Sequence, residues 1–255
     1  MYSGGLCSFF AARRVIERHG KEGVLLLFAD TTIEDEDLYR FVEESVKFLD
    51  VPLKTLCDGR TPWEVCRDVK FIANSRIDPC SRVLKRELLN SWRDDNCDPA
   101  ETVIHFGMDW TELHRLERLR KLDKRWDFRG YMTEEPYLDK SDMIAEVERL
   151  GLEVPRLYKL GFAHNNCGGF CFKSGQAQFK LLLETMPERY AEHEEEERRL
   201  SGEVNAKGGV QPTILRDRSN GTVVPLSLEA FRKRLQLQPD LFDKHEWGGC
   251  GCAID

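Results

Sequence analysis

No stretch of this chain approaches the roughly 18 consecutive apolar residues of a membrane-spanning helix, which excludes a bilayer-embedded bundle as the expected architecture. The opening residues lack a charged segment followed by an apolar one, so a secretory leader is not expected and a cytoplasmic location is. No internal repeat or low-complexity linker divides the 255 residues, leaving one large domain or one domain with an appended lobe. An excess of basic charge is missing too. Thirty-eight Lys and Arg stand against forty-five Asp and Glu, for a net charge of -7. That balance does not favour a general nucleic-acid binder but leaves room for a local basic channel.

Hydrophobic residues are not scarce: at 41% they suffice for a core and exclude global disorder. Cysteine is plentiful, with nine in the chain. A reducing compartment keeps thiols free, so clustered cysteines point to metal or redox chemistry rather than a disulfide framework. Cys57, Cys66 and Cys97 stand alone in apolar or helical surroundings and are expected to be ordinary core or surface residues. The other six carry the chemistry.

Apolar periodicity predicts a helix over residues 6–18 and an amphipathic helix over 35–49, with a buried strand over 24–29 between them and a short strand over 51–56 after. A helix over 83–92 and a strand over 102–106 continue the alternation expected of a doubly wound, mostly parallel α/β sheet. Beyond about residue 130 the pattern turns helical: 141–150 with Ser141 as N-cap, 176–186, and a charged stretch over 188–200. Residues 213–225 look like a hairpin around Ser219-Asn220-Gly221. The expected division is therefore an α/β domain over 1–130 and a mostly helical, cysteine-bearing lobe over 131–255.

Ser3-Gly4-Gly5-Leu6-Cys7-Ser8 stands immediately before the first helix. Its glycines allow backbone N–H groups to approach phosphate oxygens, its serines add hydroxyls, and the helix N-terminus adds a positive dipole end. This hexapeptide resembles the SGGxDS signature of the PP-loop superfamily, the adenine nucleotide alpha hydrolases. Further segments are similar to its PAPS reductase-like branch, in order along the chain. They are Phe28-Ala29-Asp30-Thr31, Pro79-Cys80-Ser81-Arg82-Val83-Leu84-Lys85, the Gly107-Met108-Asp109 stretch running to Glu112 and Arg115, and Pro155-Arg156-Leu157-Tyr158 followed by Gly161-Phe162 and Cys167. Two positions depart from the pattern, Cys7 where the loop usually has Asp and Asp109 where an Arg is usual. Only Met1 and Tyr2 precede the loop, where that fold has a whole central strand.

The resemblance implies an adenine nucleotide, ATP or PAPS, held by Ser3, Gly4, Gly5, Ser8, Asp30, Gly107 and Arg115, with Mg²⁺ and with Lys85 acting on the phosphates. Arg76 and Arg82 are further candidates to neutralise phosphate charge. It also implies a [4Fe-4S] cluster on Cys80, Cys167 and Cys171. The fourth ligand is Cys250 or Cys252, or else the fourth iron stays open to bind sulfide. Zinc is the alternative metal for such thiolates. Cys250 and Cys252 have a rival role, because sulfonucleotide reductases carry a catalytic cysteine near the C-terminus. His164, ahead of the cysteine turn, is expected to be a surface or supporting hydrogen-bonder.

Three functions follow as expectations. The first is an ATP pyrophosphatase that adenylates an acceptor for sulfur transfer, the acceptor being a nucleic acid or a small molecule. The second is a PAPS or APS reductase releasing sulfite through the tail cysteine, and the third a non-catalytic nucleotide-binding component of a larger complex. The glycine pair favours the first, since it cradles a β,γ-pyrophosphate. A sulfur donor, a thioredoxin-like reductant and a second copy of the chain are the expected protein partners.

Overall fold

Phe9, Phe10 and Leu6 sit on one side of helix α1 (Leu6–His19), and burying that side fixes the helix against the first sheet. Phe9 meets Phe10 and Phe41 edge-on, with ring centroids 5.1 and 5.9 Å away. The computed structural model describes residues 1–73, 77–205, 212–218 and 221–237. Arg76, Cys250 and Cys252 lie outside the described residues.

Strand β1 (Leu26–Asp30) pairs in parallel with β2 (Leu53–Cys57), in register from Leu26 opposite Leu53 to Asp30 opposite Cys57. Helix α2 (Glu36–Leu49) connects them, capped at its start by the Asp35 carboxylate accepting from the Asp37 N–H. Helix α3 (Pro62–Asp68) follows, opened by a Thr61/Glu64 capping box. A π-helical turn, Arg82–Glu87, then runs into α4 (Leu88–Asn96) where the sequence predicts one regular helix. Such turns interrupt the usual ladder and recur at functional sites; this one carries Lys85.

A second parallel pair joins β3 (Val103–His105) to β4 (Asp127–Arg129) through helix α5 (Leu113–Leu122). Asp127-Phe128-Arg129 is too short and charged to announce itself as a strand. Residues 1 and 2 lie between the two pairs: the Tyr2 N–H donates to the Leu27 carbonyl and the Met1 amine to the His105 carbonyl, both at 2.8 Å. The first four described strands thus make two separate two-stranded parallel sheets bridged by residues 1 and 2, and a continuous doubly wound sheet is not shown among the described residues.

The later chain is mostly helical: α6 (Lys140–Arg149), α7 (Gln176–Thr185), α8 (Pro187–Asn205), then an antiparallel hairpin of β5 (Leu215–Asp217) and β6 (Val224–Leu226), and α9 (Leu228–Leu237). Asp139, not the expected Ser141, caps α6, because its carboxylate reaches the Asp142 N–H at 2.9 Å. The cores cut across residue 130. Met143 and Val147 of α6 pack with Phe9, Leu38 and Phe41, whereas Trp63 and Cys66 of α3 pack with Phe170, Phe179 and Phe231. Each fully buried aromatic here contributes about 1.5–3 kcal/mol. Among the described residues no helix is long and apolar enough to cross a membrane.

Candidate functional site

Gly4 turns the chain into α1 with a φ of 71°, a conformation that favours glycine. A side chain there would meet Val42 Cγ2 at 2.8 Å and Leu38, so the demand comes from packing beneath the loop, not from a ligand above it. Gly5 is different. A Cβ on it would lie 3.2 Å from the Tyr158 hydroxyl and 3.5 Å from Ser3 Oγ, on the side where the loop faces a cleft. The Ser8 hydroxyl donates to the Gly5 carbonyl at 2.8 Å and accepts from the N–H and hydroxyl of Ser3 at 3.2 and 3.1 Å, which ties the loop into a closed ring. The Leu6 N–H donates to Tyr158 OH at 3.3 Å and Asn165 Nδ2 to the Gly4 carbonyl at 3.1 Å. The cap residue Gly5 has no side chain to offer, and beyond the Leu6 N–H held by Tyr158 the positive end of the α1 dipole faces the cleft, where an anion is favoured.

The cleft has a volume of about 510 Å³, within the range of small-molecule sites. Ser3, Gly5 and Ser8 line one end, and Gly107 and Arg115 join them from the second parallel pair. Gly107 is fixed by close approach, since a Cβ would stand 2.4 Å from Ser8 Cα. Lys85 enters from the π-helical turn, its ammonium 3.6 Å from the Glu34 carboxylate. Arg115 pairs with Glu112, while its buried Nε has no partner among the described residues, and neither has Asn165 Oδ1.

Six of the expected nucleotide residues therefore meet here: Ser3, Gly5, Ser8, Lys85, Gly107 and Arg115. Gly4 shapes the loop from below. Asp30 does not line the cleft; its carboxylate accepts from the Thr32 N–H at 2.8 Å and Tyr39 OH at 2.7 Å. Glu34, four residues on and only 6% exposed, lines the cleft along with Asp109, Glu112 and Asp123, and it accepts from Thr31 Oγ1 at 2.8 Å and from the Cys167 N–H. Lys140 and Tyr158 line the cleft as well, the ammonium 5.1 Å from the tyrosine ring centroid. Tyr158 lay within a recognised motif, whereas Glu34 and Lys140 had no signal beyond being charged residues near helix starts. Cys7, in the position usual for Asp, is held against Met143 Sδ at 3.7 Å with Lys140 Nζ at 4.0 Å. Burial raises its thiol pKa, and the nearby lysine only partly opposes this.

Cys80, Cys167 and Cys171 line a second, smaller cavity beside the first. Cys167, Gly168 and Gly169 take φ values of 48°, 60° and 82°, three left-handed residues in succession that curl the backbone into it. Gly168 also lets Arg189 approach, for a Cβ there would lie 2.2 Å from the guanidinium carbon. Arg189 in turn donates to the carbonyls of Ile33 and Glu34 at 2.9 and 3.2 Å. Behind the cysteines, Phe170 stacks on His193 with centroids 3.6 Å apart, and Trp63 Nε1 donates to His193 Nδ1 at 3.0 Å. Burial, with a smaller push from Arg189, lowers the His193 pKa to about 3.

Three thiols around one cavity fit a soft metal in their chemistry. The void is about 20 Å³, room for one water-sized sphere, and no three His, Cys, Asp or Glu side chains among the described residues are already grouped round an ion position. His164 is exposed at the cleft rim. No family model and no curated protein matches the chain.

Proposed function

We propose that the chain is a PP-loop enzyme of the ATP pyrophosphatase type, which adenylates an acceptor so that sulfur can replace the activated oxygen. The observation that carries this reading is the meeting of Ser3, Gly5, Ser8, Lys85, Gly107 and Arg115 in one cleft, from three separate stretches of sequence. The loop and the uncapped start of α1 hold the β,γ-phosphates. Lys85 and Arg115 offset charge that builds at the α-phosphate, where preorganised donors act most strongly. The acceptor's nucleophile attacks the α-phosphorus, the bond to the bridging oxygen breaks, and pyrophosphate leaves with the electron pair. A sulfur nucleophile then displaces AMP. Glu34 and Asp109 are the oxygen ligands that the cleft offers to the Mg²⁺ accompanying ATP.

Cys80, Cys167 and Cys171 are the residues that would hold a [4Fe-4S] cluster, and an iron left open by the three thiolates would be able to carry sulfide. Lys85 lines both the cleft and the cysteine cavity, so sulfur delivered at the thiols would have a short path to the adenylated acceptor.

The test is anaerobic purification with iron and sulfide assay, followed by incubation with ATP and, separately, PAPS. Acceptor-dependent AMP and pyrophosphate, with iron and sulfide lost in Cys167→Ser, are the expected result. Sulfite release from PAPS would replace this reading by the reductase. Nucleotide binding with no turnover in the presence of thiols and candidate acceptors would replace it by a non-catalytic nucleotide-binding component.

A further inference from the structure

Between the two parallel pairs lies a further cavity of about 580 Å³. Residues 23–27 line one edge and residues 101–105 the other, while α1 and α4 contribute Val15 and Trp92 to its walls. Met1 and Tyr2 stand at one end of it. Past them the Ser3–Ser8 loop opens on the cleft, which residues 27–29 and 106–108 line. The chain thus enters the loop from the cavity side, running the same way as β1 and β3.

Its first two residues bond as part of a strand. Along a strand, successive residues turn their N–H and C=O groups to opposite sides. The Tyr2 N–H donates to the Leu27 carbonyl of β1, and the Met1 amine donates to the His105 carbonyl of β3. Adjacent residues therefore bond to neighbours on opposite sides, as they do in a strand lying between β1 and β3. The two edges carry this pattern on into the cavity. The Leu26 N–H donates to the Pro52 carbonyl and the Phe106 N–H to the Arg129 carbonyl, so these residues face β2 and β4. Leu25 and Val103 are out of phase with them and turn their backbone groups to the cavity. Both side chains line it and are apolar, yet they are 40% and 37% exposed.

Counting back by twos, a first residue ahead of Met1 would donate to the Leu25 carbonyl and a second to the Val103 carbonyl. From Leu27 back to Gly23 the slot runs about 13 Å, which at roughly 3.3 Å per residue takes about four residues. The bond at Met1 says which molecule supplies them. Burial lowers the pKa of its amine to about 6. A peptide N–H makes the same bond to His105 without burying a charge. A strand from another molecule would stop short of Met1 and leave that amine as it is.

We propose that the cavity seats an apolar β-strand of about four residues joined to Met1, which closes the two parallel pairs into one sheet and fixes the Ser3–Ser8 loop from behind.

The experiment compares the 255-residue chain with versions carrying Val-Ile-Val-Val or Gly-Ser-Gly-Ser ahead of Met1, by thermal melts and amide hydrogen exchange. Val-Ile-Val-Val should raise the melting temperature by roughly 5 °C or more and slow exchange in residues 24–27 and 102–105 roughly tenfold. Gly-Ser-Gly-Ser should do neither. Replacing the Val next to Met1 by Pro removes the N–H meant for Leu25 and should cancel most of the gain. An undiminished gain with that Pro, or equal behaviour of the two extensions, would overturn the strand. Joining to Met1 corresponds to an effective concentration of about 1 mM. An equal rise from the free acetylated Val-Ile-Val-Val peptide at roughly 10 μM would therefore make another molecule the source and overturn the joined strand. Protein isolated from its native cells should have an intact mass greater than that of a chain beginning at Met1, and a mass matching Met1 as first residue would overturn it too. None of these readouts involves a nucleotide, so the adenylation reading stands or falls separately.

Discussion

The cleft at the Ser3–Ser8 loop and the cysteine cavity are neighbours built on opposite plans. The cleft is open, about 510 Å³, and keeps polar groups such as Arg115 Nε and Asn165 Oδ1 without partners among the described residues. The cysteine cavity is about 20 Å³, walled by Phe170 and Phe172, with Lys173 and Asp78 neutralising each other at 3.5 Å. Unmet hydrogen-bonding capacity near a loop is what a ligand satisfies. Tight closure around thiols instead lowers the dielectric and excludes water. The two are joined through Glu34, whose carboxylate reaches Lys85 on one side and the Cys167 N–H on the other. Occupancy of either site therefore bears on the same side chain.

The largest effect should come from testing how each region uses its glycines. A Cβ at Gly107 meets backbone, Ser8 Cα at 2.4 Å and Ser8 N at 2.5 Å, and backbone cannot step aside cheaply. At Gly168 the added carbon meets the end of Arg189, a side chain that can shift where backbone cannot, at the expense of its bonds to the Ile33 and Glu34 carbonyls and on top of the penalty of a φ of 60°. Gly107→Ala should destabilise by roughly 3 kcal/mol or more and abolish ATP binding. Gly168→Ala should cost about 1–2 kcal/mol and leave ATP binding in place. Thermal melts with and without ATP check both. A Gly107→Ala protein with unaltered melting and affinity would show that α1 is not held against the second parallel pair as described.

On the cysteine side, acid acts through two buried groups of opposite sign on α8. His193 behind the cysteines has a pKa of about 3 against an ordinary 6.5, so below about pH 6.5 the unfolded chain takes up a proton that the folded chain refuses. Its contribution to stability is lost as pH falls from 6.5 towards 3. Glu197, which holds the N–H groups of Ile214 and Leu228 at 2.8 and 2.6 Å, has the opposite sign. Burial raises its pKa from 4.5 to about 7, so its contribution is present at low pH and lost as pH rises through 7. Between about pH 4.5 and 6.5 the two oppose each other. The wild-type melting temperature should be nearly flat there, Glu197→Gln should fall on acidification, and His193→Phe should rise. Parallel pH profiles in all three proteins would remove both groups as the source.

How much of this was legible in the sequence follows from the range of the signals. Helices α1, α2 and α7 and the strand β1 rest on local apolar periodicity, and they appear within a residue or two of their expected bounds. The hairpin announced itself through Ser219-Asn220-Gly221. Strand β4 did not, because Asp127 and Arg129 flank a single inward Phe128 and pairing with β3 supplies what propensity lacks. The loop was legible because glycine and serine spacing is itself local. Glu34 and Lys140 were not, because their place depends on Cys167 and Tyr158, 133 and 18 residues away, which only tertiary packing brings near. Helix α5 was visible as charge but not as a wall of the cleft, since nothing local says which face of α5 turns inward.

The smallest expected difference concerns the acid picked out by its place at the end of β1 and the buried acid found in the cleft. Asp30 takes its two hydrogen bonds, from the Thr32 N–H and Tyr39 OH, on the same oxygen, Oδ1. An asparagine can present a carbonyl there, so Asp30→Asn should change stability by no more than about 0.5 kcal/mol and leave ATP affinity within about threefold. Glu34 uses both oxygens: Oε1 for Thr31 and Lys85, Oε2 for the Cys167 N–H. A glutamine offers one acceptor, so Glu34→Gln must leave either the Thr31 side or the buried Cys167 N–H unsatisfied, at about 1–3 kcal/mol. It also strips Lys85 of its counter-charge. Without Mg²⁺ the more positive cleft should hold ATP more tightly, whereas turnover should fall because the proposed Mg²⁺ ligand is gone. Denaturant melts, ATP titrations with and without Mg²⁺, and pyrophosphate release decide it. If Asp30→Asn were the more damaging change in all three, the acid of the site would be the one at the strand end, and the cleft would have to open further along β1 than this structure has it.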